Sequence, residues 1–425
     1  MLLIYSPHIT NRIEYTLDVI FGVVIKTNWK LTSDLKNFKE YKGAKINYSN
    51  SDLKEGFHLG SFSLLSSTGI ELQPLDVFKL NDFKAFFKVD KSDYPFDVFS
   101  ATFYLISRYE EYLPHSKDFY GRFPYTTSLA SRENFLDVPL VNIWLQHFKN
   151  ELIKKYKDLN FKEEQFQFFP TYDIDIAWSF KNKGPLRNLG GFIKKPSIER
   201  LKVLSGIASD PFDSYSFLKD LHERKNLNPK YFILTARRNN IYDKNILPSN
   251  NDFKLLIKNL DGEICLHPSW GSNDDLEEIK AEKKLLEEIC DRAVEKSRQH
   301  YIKLLLPKTY SDLIKAGIKE EYSMGFGSTN GFRASIASSY YWYNISKEEK
   351  TDLLLHPFCF MDANSFYEQK QDVETTLTEL RHYLKVCRSV NANLITIFHN
   401  HFLGSDPMFK GWREMYENFI EECSI

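Results

Sequence analysis

Two aspartates with one residue between them end an apolar, strand-like stretch of the chain. The stretch runs from Phe168 to Trp178 and contains Asp173 and Asp175. Strand side chains alternate between faces, so the two carboxylates should project to the same side. They repel each other unless a cation or a proton lies between them. The spacing indicates a metal or acid–base site, with a plain turn as the alternative, because Asp is common where strands stop.

Other side chains that can bind a metal or move a proton follow later strand-like runs. His267 ends one run, Arg298 and His300 lie in the next, and His399 ends the last. In barrels of alternating strands and helices, the chemistry collects at the carboxyl ends of the strands. Histidines at several strand ends, together with an Asp pair at the first, favour a metal or acid–base site over a chance arrangement.

These residue types suit metal-assisted hydrolysis. Asp and His ligands with an open position are the pattern of a catalytic divalent metal, which lowers the pKa of bound water and polarises a carbonyl group. A second carboxylate can take the water's proton, a histidine can protonate the leaving group, and an arginine can keep the base charged. The set predicts hydrolysis of an ester or amide, and no GxSxG motif indicates a serine nucleophile instead.

The elements that must position these residues begin near Phe166. Short apolar runs alternate there with helical segments, which implies parallel strands, and six or more such units predict a barrel. The predicted strands are 166–174, 230–235, 262–267, 296–305, 353–360 and 394–399. The predicted helices are 214–226, 252–260, 276–296, 309–316 and 373–390. Residues 323–333 should form a loop between strands.

The chain before residue 160 reads as a mixed α/β segment. Predicted strands are 2–5, 44–48 and 60–65, residues 11–25 should form a helix that runs into a strand, and further predicted helices are 96–112 and 138–156. A charged connector, 157–164, leads to the barrel, so we expect domains at 1–160 and 165–425. Arg108, Glu110 and Glu111 form either a site or a solvated or interface helix face, and the second reading is favoured.

Bulk composition narrows the class of protein. The 425 residues carry a net charge of -1, which gives no reason to expect nucleic acid or an anionic membrane as a partner. Five scattered cysteines without a CxxC pair argue against a disulfide framework and a zinc–thiolate site. The first residues do not resemble a secretory signal, and no run of about 18 apolar residues predicts a membrane span. We therefore expect a soluble, cytoplasmic protein of undetermined oligomeric state.

Four segments, in their order and spacing, resemble the polysaccharide deacetylases with a NodB-homology domain. They are Thr171–Asp175, Glu263–Trp270, Ser297–Tyr301 and Phe398–Asn400. The resemblance covers about residues 166–403. The segment 99–123, with Arg108–Tyr112 and Gly121–Phe123, resembles the extra N-terminal domain of a bacterial subgroup of this family. The family implies a distorted (β/α) barrel that removes acetyl groups from N-acetylated sugars with a divalent metal, for which zinc is the expected ion.

The resemblance also implies a role for each matching residue. Asp173 matches the general base, and Asp175 matches the metal-binding acid. His267 matches the first metal histidine. Arg298 matches the arginine that steadies the base, and His399 matches the histidine that acts as general acid.

Two departures from the family pattern concern the metal. Ile174 separates the two acids, which are adjacent in most members, so both could bind the metal instead of dividing into base and ligand. Gly271 stands where most members have a second metal histidine. His300 is the candidate replacement, and if it only orients Asp175, the metal keeps two protein ligands and a non-catalytic member results.

Candidate substrate contacts are less specific. Trp270, near a strand end, could stack on a sugar ring, and Arg333 could approach a substrate carboxylate or phosphate. Packing and an ordinary loop position are the alternatives. Together these features predict a metal-dependent enzyme that removes acetyl or other acyl groups from N-acylated sugars or glycan precursors. The rivals are a degenerate barrel that binds carbohydrate or acts as a scaffold, and a metal hydrolase acting on a non-sugar amide.

Overall fold

A computed structural model describes residues 1–194 and 196–424 and shows a mixed α/β protein built on two main sheets. The strands of the first part are β1 (Leu2–Tyr5), β2 (Trp29–Thr32), β3 (Lys45–Tyr48), β4 (Phe57–Leu59), β5 (Phe78–Leu80) and β6 (Phe83–Ala85). Its helices are α1 (Asn11–Leu17), α2 (Leu35–Glu40), α3 (Val98–Ile106), α4 (Leu129–Arg132) and α5 (Leu140–Lys155). Strands β2-β1-β3-β4 form a parallel sheet, and β5-β6 form an antiparallel pair.

The second part alternates strands and helices, as its sequence pattern predicts. Its strands are β7 (Gln167–Ile174), β8 (Lys230–Leu234), β9 (Glu263–His267), β10 (Lys296–Ser297), β11 (Glu320–Glu321), β12 (Tyr340–Asn344), β13 (Glu349–Leu355), β14 (Phe360–Met361) and β15 (Asn393–His399). Its helices are α6 (Gly184–Lys194), α7 (Ile198–Leu204), α8 (Tyr215–Lys225), α9 (Asn251–Asn259), α10 (Leu276–Cys290), α11 (Lys308–Lys315), α12 (Val373–Ser389) and α13 (Trp412–Cys423). No helix among the described residues has the length and apolarity needed to cross a bilayer.

These strands form one nine-stranded sheet in the order β12-β13-β11-β10-β9-β8-β7-β15-β14. Every pairing is parallel except the hairpin of β12 and β13. Strand β8 is buried at all five positions, which is typical of a parallel strand covered on both faces. The parallel order brings the carboxyl ends of β7, β8, β9, β10 and β15 to one edge of the sheet.

The chain connection shows that this sheet is strongly curled. Strands β13 and β14 lie seven strand spacings apart in the sheet order, which is about 34 Å in a flat sheet. Only five Cα steps join Leu355 to Phe360, and they span at most about 18 Å. Gly331 and Cys359 bridge the same region through a backbone hydrogen bond of 2.8 Å. The sheet therefore wraps towards a barrel, although β12 and β14 do not pair with each other in the described part of the chain.

Some local predictions need correction. The predicted strand at 60–65 is replaced by β4, which ends at Leu59, and a short 3₁₀ turn at Ser63–Leu65. The predicted strand at 296–305 ends after Ser297, because the chain turns into a 3₁₀ turn at His300–Ile302. Within that turn Tyr301 and Ile302 have φ values of 59° and 51°, a left-handed conformation that no strand can contain.

A buried ion cluster joins the two parts of the chain. Arg108 donates to Glu111 Oε1 at 2.7 Å, and Arg333 donates to both oxygens of the same carboxylate at 2.8 and 2.6 Å. Arg108 also donates to Glu110 at 2.8 Å. All four side chains are buried. The structure thus shows Arg108, Glu110 and Glu111 at a buried interface between the two parts of the chain, and not on a solvated helix face.

Candidate active site

Asp175 lies at the centre of three histidines at the carboxyl edge of the barrel sheet. His267 Nε2 is 3.1 Å from Asp175 Oδ1, and the Nε2 atoms of His300 and His399 are 3.3 and 3.4 Å from Oδ2. Register explains the convergence: His399 of β15 is opposite Asp173 of β7, two residues before Asp175. The carboxylate therefore faces three ring nitrogens from three separate strands or strand ends.

The Nδ1 atom of each histidine, on the side of the ring away from Asp175, contacts a carboxylate or carbonyl oxygen. His300 Nδ1 is 2.7 Å from Asp243 Oδ1, His399 Nδ1 is 2.6 Å from Asp362 Oδ1, and His267 Nδ1 contacts the carbonyl oxygen of Arg298. When Nδ1 donates to such an acceptor, the lone pair of Nε2 points into the site. This arrangement is typical of metal-binding histidines, whose outer nitrogen is usually fixed by a carboxylate or carbonyl.

The donor atoms fit a divalent cation. Asp175 offers a carboxylate oxygen and His267 and His300 each offer a nitrogen, and these three atoms lie within 4.8 Å of one another. Asp175 Oδ1 is buried and accepts no hydrogen bond, because His267 Nε2, 3.1 Å away, is itself an acceptor when Nδ1 donates to the Arg298 carbonyl, and a cation between the two atoms would satisfy both. One oxygen and two nitrogens leave coordination positions open, as catalytic sites require.

Asp173 has a different neighbourhood. Arg298 Nη1 donates to Asp173 Oδ1 at 2.7 Å, and Asp173 Oδ2 is 3.7 Å from His267 Nε2. The Arg298 guanidinium is fully buried and lies 4.1 Å from the ring centroid of Phe232. A guanidinium enclosed by rings needs a counter-charge, and Asp173 is that partner.

Charge coupling within the cluster is strong. Burial opposes ionisation of Asp175, but the charges of His300 and His399 outweigh it and hold the Asp175 pKa well below its ordinary range. Burial lowers the pKa of His300, but Asp175 and Asp243 outweigh it and raise that pKa to about 9. Burial also opposes protonation of His399, yet Asp362 and Asp175 raise its pKa well above the ordinary value. Positive charge is thus stabilised around Asp175.

The cluster opens into a cavity of about 360 Å³. Its lining includes Asp173, Asp175, His267, His300 and His399 from the strand ends. Two further lining residues, Tyr120 and Arg122, come from the first part of the chain. Arg122 Nη1 donates to the carbonyl oxygen of Tyr301 at 2.7 Å, and its side chain is almost fully buried. The N-terminal segment therefore forms part of the wall of this cavity.

Three tyrosines make an aromatic wall of the cavity, namely Tyr120, Tyr242 and Tyr301. The ring of Tyr120 is 5.1 Å from that of Tyr301, and Tyr242 meets Tyr301 edge-on at 5.5 Å. Arg122 lies 4.7 Å from the Tyr120 ring. Rings with polar tips at a cavity wall suit a partly apolar, hydroxyl-bearing ligand.

The two residues expected to contact substrate lie elsewhere. Trp270 is absent from the described cavity lining and instead stacks against Tyr242 at 4.2 Å, so it supports a residue of the wall. Arg333 is buried in the ion cluster with Glu111. The sequence indicated that Trp270 lies near a strand end and Arg333 in a loop, but long-range packing decides the direction of each side chain.

Gly271 lies against Asp243, the carboxylate that contacts the outer nitrogen of His300. Its backbone N–H is 3.3 Å from Asp243 Oδ2, and a Cβ built on it would approach Asn240 and Asp243. Asp243 Oδ1 also accepts from the backbone of Trp270 at 2.9 Å. Asp243 thus fixes this loop and His300 together.

Sequence reasoning missed the supporting carboxylates and the aromatic wall. Asp362 follows a strand-like run directly, so its position at a strand end was an available signal. Asp243 lies in a polar loop after β8 and carries no local signal. Arg122 lies within the Gly121–Phe123 segment and Tyr120 directly precedes it, but nothing in that segment points to the distant strand ends.

Comparison with known proteins gives little beyond the fold. The model of a family of unknown function, DUF7033, matches residues 2–157. A search of curated proteins found no match.

Several solved structures share part of the architecture. A Mycobacterium smegmatis protein assigned as a polysaccharide deacetylase is 13% identical, with 62% of this chain and 85% of that chain covered and a TM-score of 0.40. The Puue allantoinase is 12% identical, with 61% and 84% covered and a TM-score of 0.40. A CE4-family pseudoenzyme from Bacillus anthracis is 7% identical, with 61% and 62% covered and a TM-score of 0.31. At these values none of the similarities transfers an activity to this chain.

Proposed function

We propose that this protein is a metal-dependent hydrolase that removes acyl groups from N-acylated sugars or glycan precursors. The observation that carries the proposal is the Asp175 carboxylate held between His267, His300 and His399, with Asp173 paired to Arg298 alongside. These three histidines and two aspartates come together from four strand ends, those of β7, β9, β10 and β15.

Asp175, His267 and His300 would hold a divalent cation, for which zinc suits the mixed nitrogen and oxygen donors. Such an ion supplies Lewis acidity that polarises an acyl carbonyl and acidifies water. Asp243 would keep the Nε2 lone pair of His300 directed at the ion, as its contact with Nδ1 implies.

The remaining residues would handle protons. Asp173 would accept a proton as general base, because Arg298 binds one of its two oxygens and leaves the other available. His399, whose Nδ1 contacts Asp362, would donate a proton to the departing amine. The buried His399–Asp362 pair favours the protonated ring that a general acid needs before it acts.

The cavity supports a sugar-sized ligand. Its volume of about 360 Å³ accommodates one or two rings, and the wall of Tyr120, Tyr242 and Tyr301 offers surfaces for stacking. Lys244 and Arg122 add positive charge at the lining, which suits a substrate that also carries an anionic group.

The proposal can be tested by loading the purified protein with zinc, cobalt or nickel and measuring acetate or other acyl release from a panel of N-acylated sugars. Asp173→Asn should lower acyl release by at least about a hundredfold while retaining stoichiometric metal, because it removes the base. His267→Ala should lose both metal and activity. Unchanged release in both variants would show that the assignment is wrong.

The same experiment separates the rival functions. A folded protein that retains no metal after dialysis and releases no acyl group would support the degenerate, carbohydrate-binding alternative. Release of acyl groups only from non-sugar amides would support the proposed metal site but show that N-acylated sugars are not the substrate.

A further inference from the structure

A helical hairpin beside the cavity leaves its apolar side chains in solvent. It consists of α6 and α7, which follow β7. Helix α6 has no buried residue, and α7 buries only Val203. Twenty large apolar side chains are exposed among the described residues, and seven of them lie between positions 186 and 207, about a twentieth of the chain. The seven are Leu186, Leu189, Ile193, Ile198, Leu201, Leu204 and Ile207. A concentration of this kind marks an interaction surface.

Specific contacts hold the two helices of the hairpin together. Arg200 of α7 donates to the carbonyl oxygen of Asn188 in α6 at 2.8 Å and lies 4.8 Å from the ring of Phe180. A Cβ on Gly191 would come within 2.2 Å of Arg200 Nη1, so glycine makes room for this crossing. The two helices are therefore tied together by one arginine while their apolar side chains face outward.

The same segment is strongly basic. Residues 181–207 contain seven Lys or Arg and a single acid, Glu199, whereas the whole chain has a net charge of -1. Leu186, Leu189 and Ile193 follow the i, i+3, i+7 spacing of one helix face. A helix with an apolar face and a Lys- and Arg-rich remainder is the type that lies in the interface of an anionic membrane.

The positive charge of the hairpin also indicates which kind of partner can bind this surface. A second copy of the chain would bring the same excess of positive charge against it, which disfavours self-association through the hairpin. An anionic bilayer complements both the charge and the apolar face. The net charge of the whole chain is close to zero and gave no reason to expect a membrane partner. It does so because it averages over the positive charge concentrated in residues 181–207.

The hairpin borders the mouth of the cavity. Arg187 Nη2 of α6 donates to the carbonyl oxygen of Lys244, whose residue lines the cavity, at 3.2 Å. Phe119 and Ile241 are exposed and directly precede the wall residues Tyr120 and Tyr242. Exposed apolar side chains therefore continue from the hairpin to loops at the cavity wall.

We propose that the α6–α7 hairpin docks on the surface of an anionic lipid bilayer and brings the cavity mouth to that surface. The apolar side chains would enter the interface, and the Lys and Arg side chains would lie among anionic headgroups. Docking of this kind is peripheral and reversible. It does not depend on the reaction proposed for the cavity.

The test is co-sedimentation of the full-length protein with vesicles of phosphatidylcholine alone or mixed with phosphatidylglycerol. Binding is expected to the mixed vesicles and to weaken with added salt. Leu186→Gln, Ile193→Gln and Ile198→Gln together should weaken it about tenfold or more. Lys194→Gln with Lys202→Gln should reduce binding to mixed vesicles specifically. Circular dichroism would establish that each variant is folded.

The matched control is Leu72→Gln with Leu255→Gln, which removes exposed leucines outside the hairpin and should leave vesicle binding unchanged. The proposal is overturned if no vesicle binds the protein, or if the triple variant binds as well as the wild type. It is also overturned if hairpin variants change the molar mass measured by light scattering while vesicle binding is absent, since the surface would then be a contact between copies.

Discussion

Asp173 and Asp175 are chemically identical and have a single residue between them, but their surroundings differ. Asp173 accepts from a buried guanidinium through Oδ1, and its other oxygen is not bound to that arginine. Asp175 meets three imidazoles and keeps an oxygen without a hydrogen bond. The neighbours thus favour a division of labour between base and ligand over two equivalent metal ligands. The arginine and histidine partners, rather than the aspartates, create the difference.

Asp243 provides a test of the proposed ligand His300. Asp243→Asn should weaken metal binding by about 10-fold or more, because it removes the charge that orients the imidazole and makes it more basic. The measurement is competition for zinc against a chromophoric chelator. The control is Asp261→Asn, since Asp261 contacts His222 Nδ1 at 2.7 Å outside the cluster. Equal losses in the two variants would mean that the effect is general destabilisation.

At the scale of elements, short connections decide where side chains point. Strand β10 has only two residues, and the turn that follows it lets Arg298 and His300 reach different aspartates of the same strand end. The short connection from β13 to β14 requires the nine-stranded sheet to be curled. The 3₁₀ turn at Tyr109–Tyr112 is fixed to the barrel by the ion cluster of Arg108, Glu110, Glu111 and Arg333.

Glu111 should stabilise the protein in a pH-dependent way. Burial opposes its ionisation, but Arg333 and Arg108 outweigh burial and lower its pKa to about 2, from an ordinary value of 4.5. A depressed pKa in the folded state stabilises the protein fully above pH 4.5, and this contribution is lost as the pH falls towards 2. Glu111→Gln should therefore lower the free energy of unfolding by about 3 kcal/mol at neutral pH.

Denaturant unfolding of the wild type and Glu111→Gln, between neutral pH and pH 3, checks this expectation. The difference between them should narrow below pH 4.5. The exposed Glu163→Gln serves as the control and should show a small difference throughout. A constant difference for Glu111→Gln across the range would contradict the ionic origin of the stabilisation.

For the whole molecule, the two parts of the chain build one cavity. The second part supplies the charged cluster, and the first part supplies Tyr120 and Arg122 to the wall. Arg122 fits against Gly327, where a Cβ would come within 2.1 Å of its Nη1 atom. This close approach fixes the N-terminal loop on the rim of the barrel. The N-terminal part is therefore placed to influence which substrate enters.

Tyr120→Ala tests that influence. It should lower kcat/KM by about tenfold, mainly through KM, because it removes a stacking surface without touching the groups that move protons. Metal content should stay unchanged. The readout is acyl release from whichever N-acylated sugar the protein hydrolyses.

The control for this prediction is Tyr125→Ala, which changes a tyrosine of the same N-terminal region that packs against Phe326 and is not part of the described cavity lining. It should behave as the wild type in KM. A loss in kcat alone for Tyr120→Ala, or equal effects in both variants, would argue against a role for the N-terminal part in substrate binding.

Hydrophobic periodicity was enough to predict most strands and helices that position the cluster. Strand β15 and helix α11, for example, lie within a residue of their predicted ends. It failed at 296–305, where a left-handed turn follows a two-residue strand, and α6 and α7 were not predicted although Leu186, Leu189 and Ile193 have helical spacing.

The sequence by itself determined which chemical groups stand at the strand ends, because the alternation of strand side chains is a local property. Alternation placed Asp173 and Asp175 on one face, and His267 and His399 were identifiable at the ends of apolar runs, whereas Arg298 and His300 were assigned to a strand that ends before them. Only the tertiary structure decided which of them meet. Arg298 and Asp173 are 125 residues apart, and Arg122 and Tyr301 are 179 apart. The curl of the sheet and the buried contacts between the two parts of the chain set those pairings, and neither is written in any local pattern.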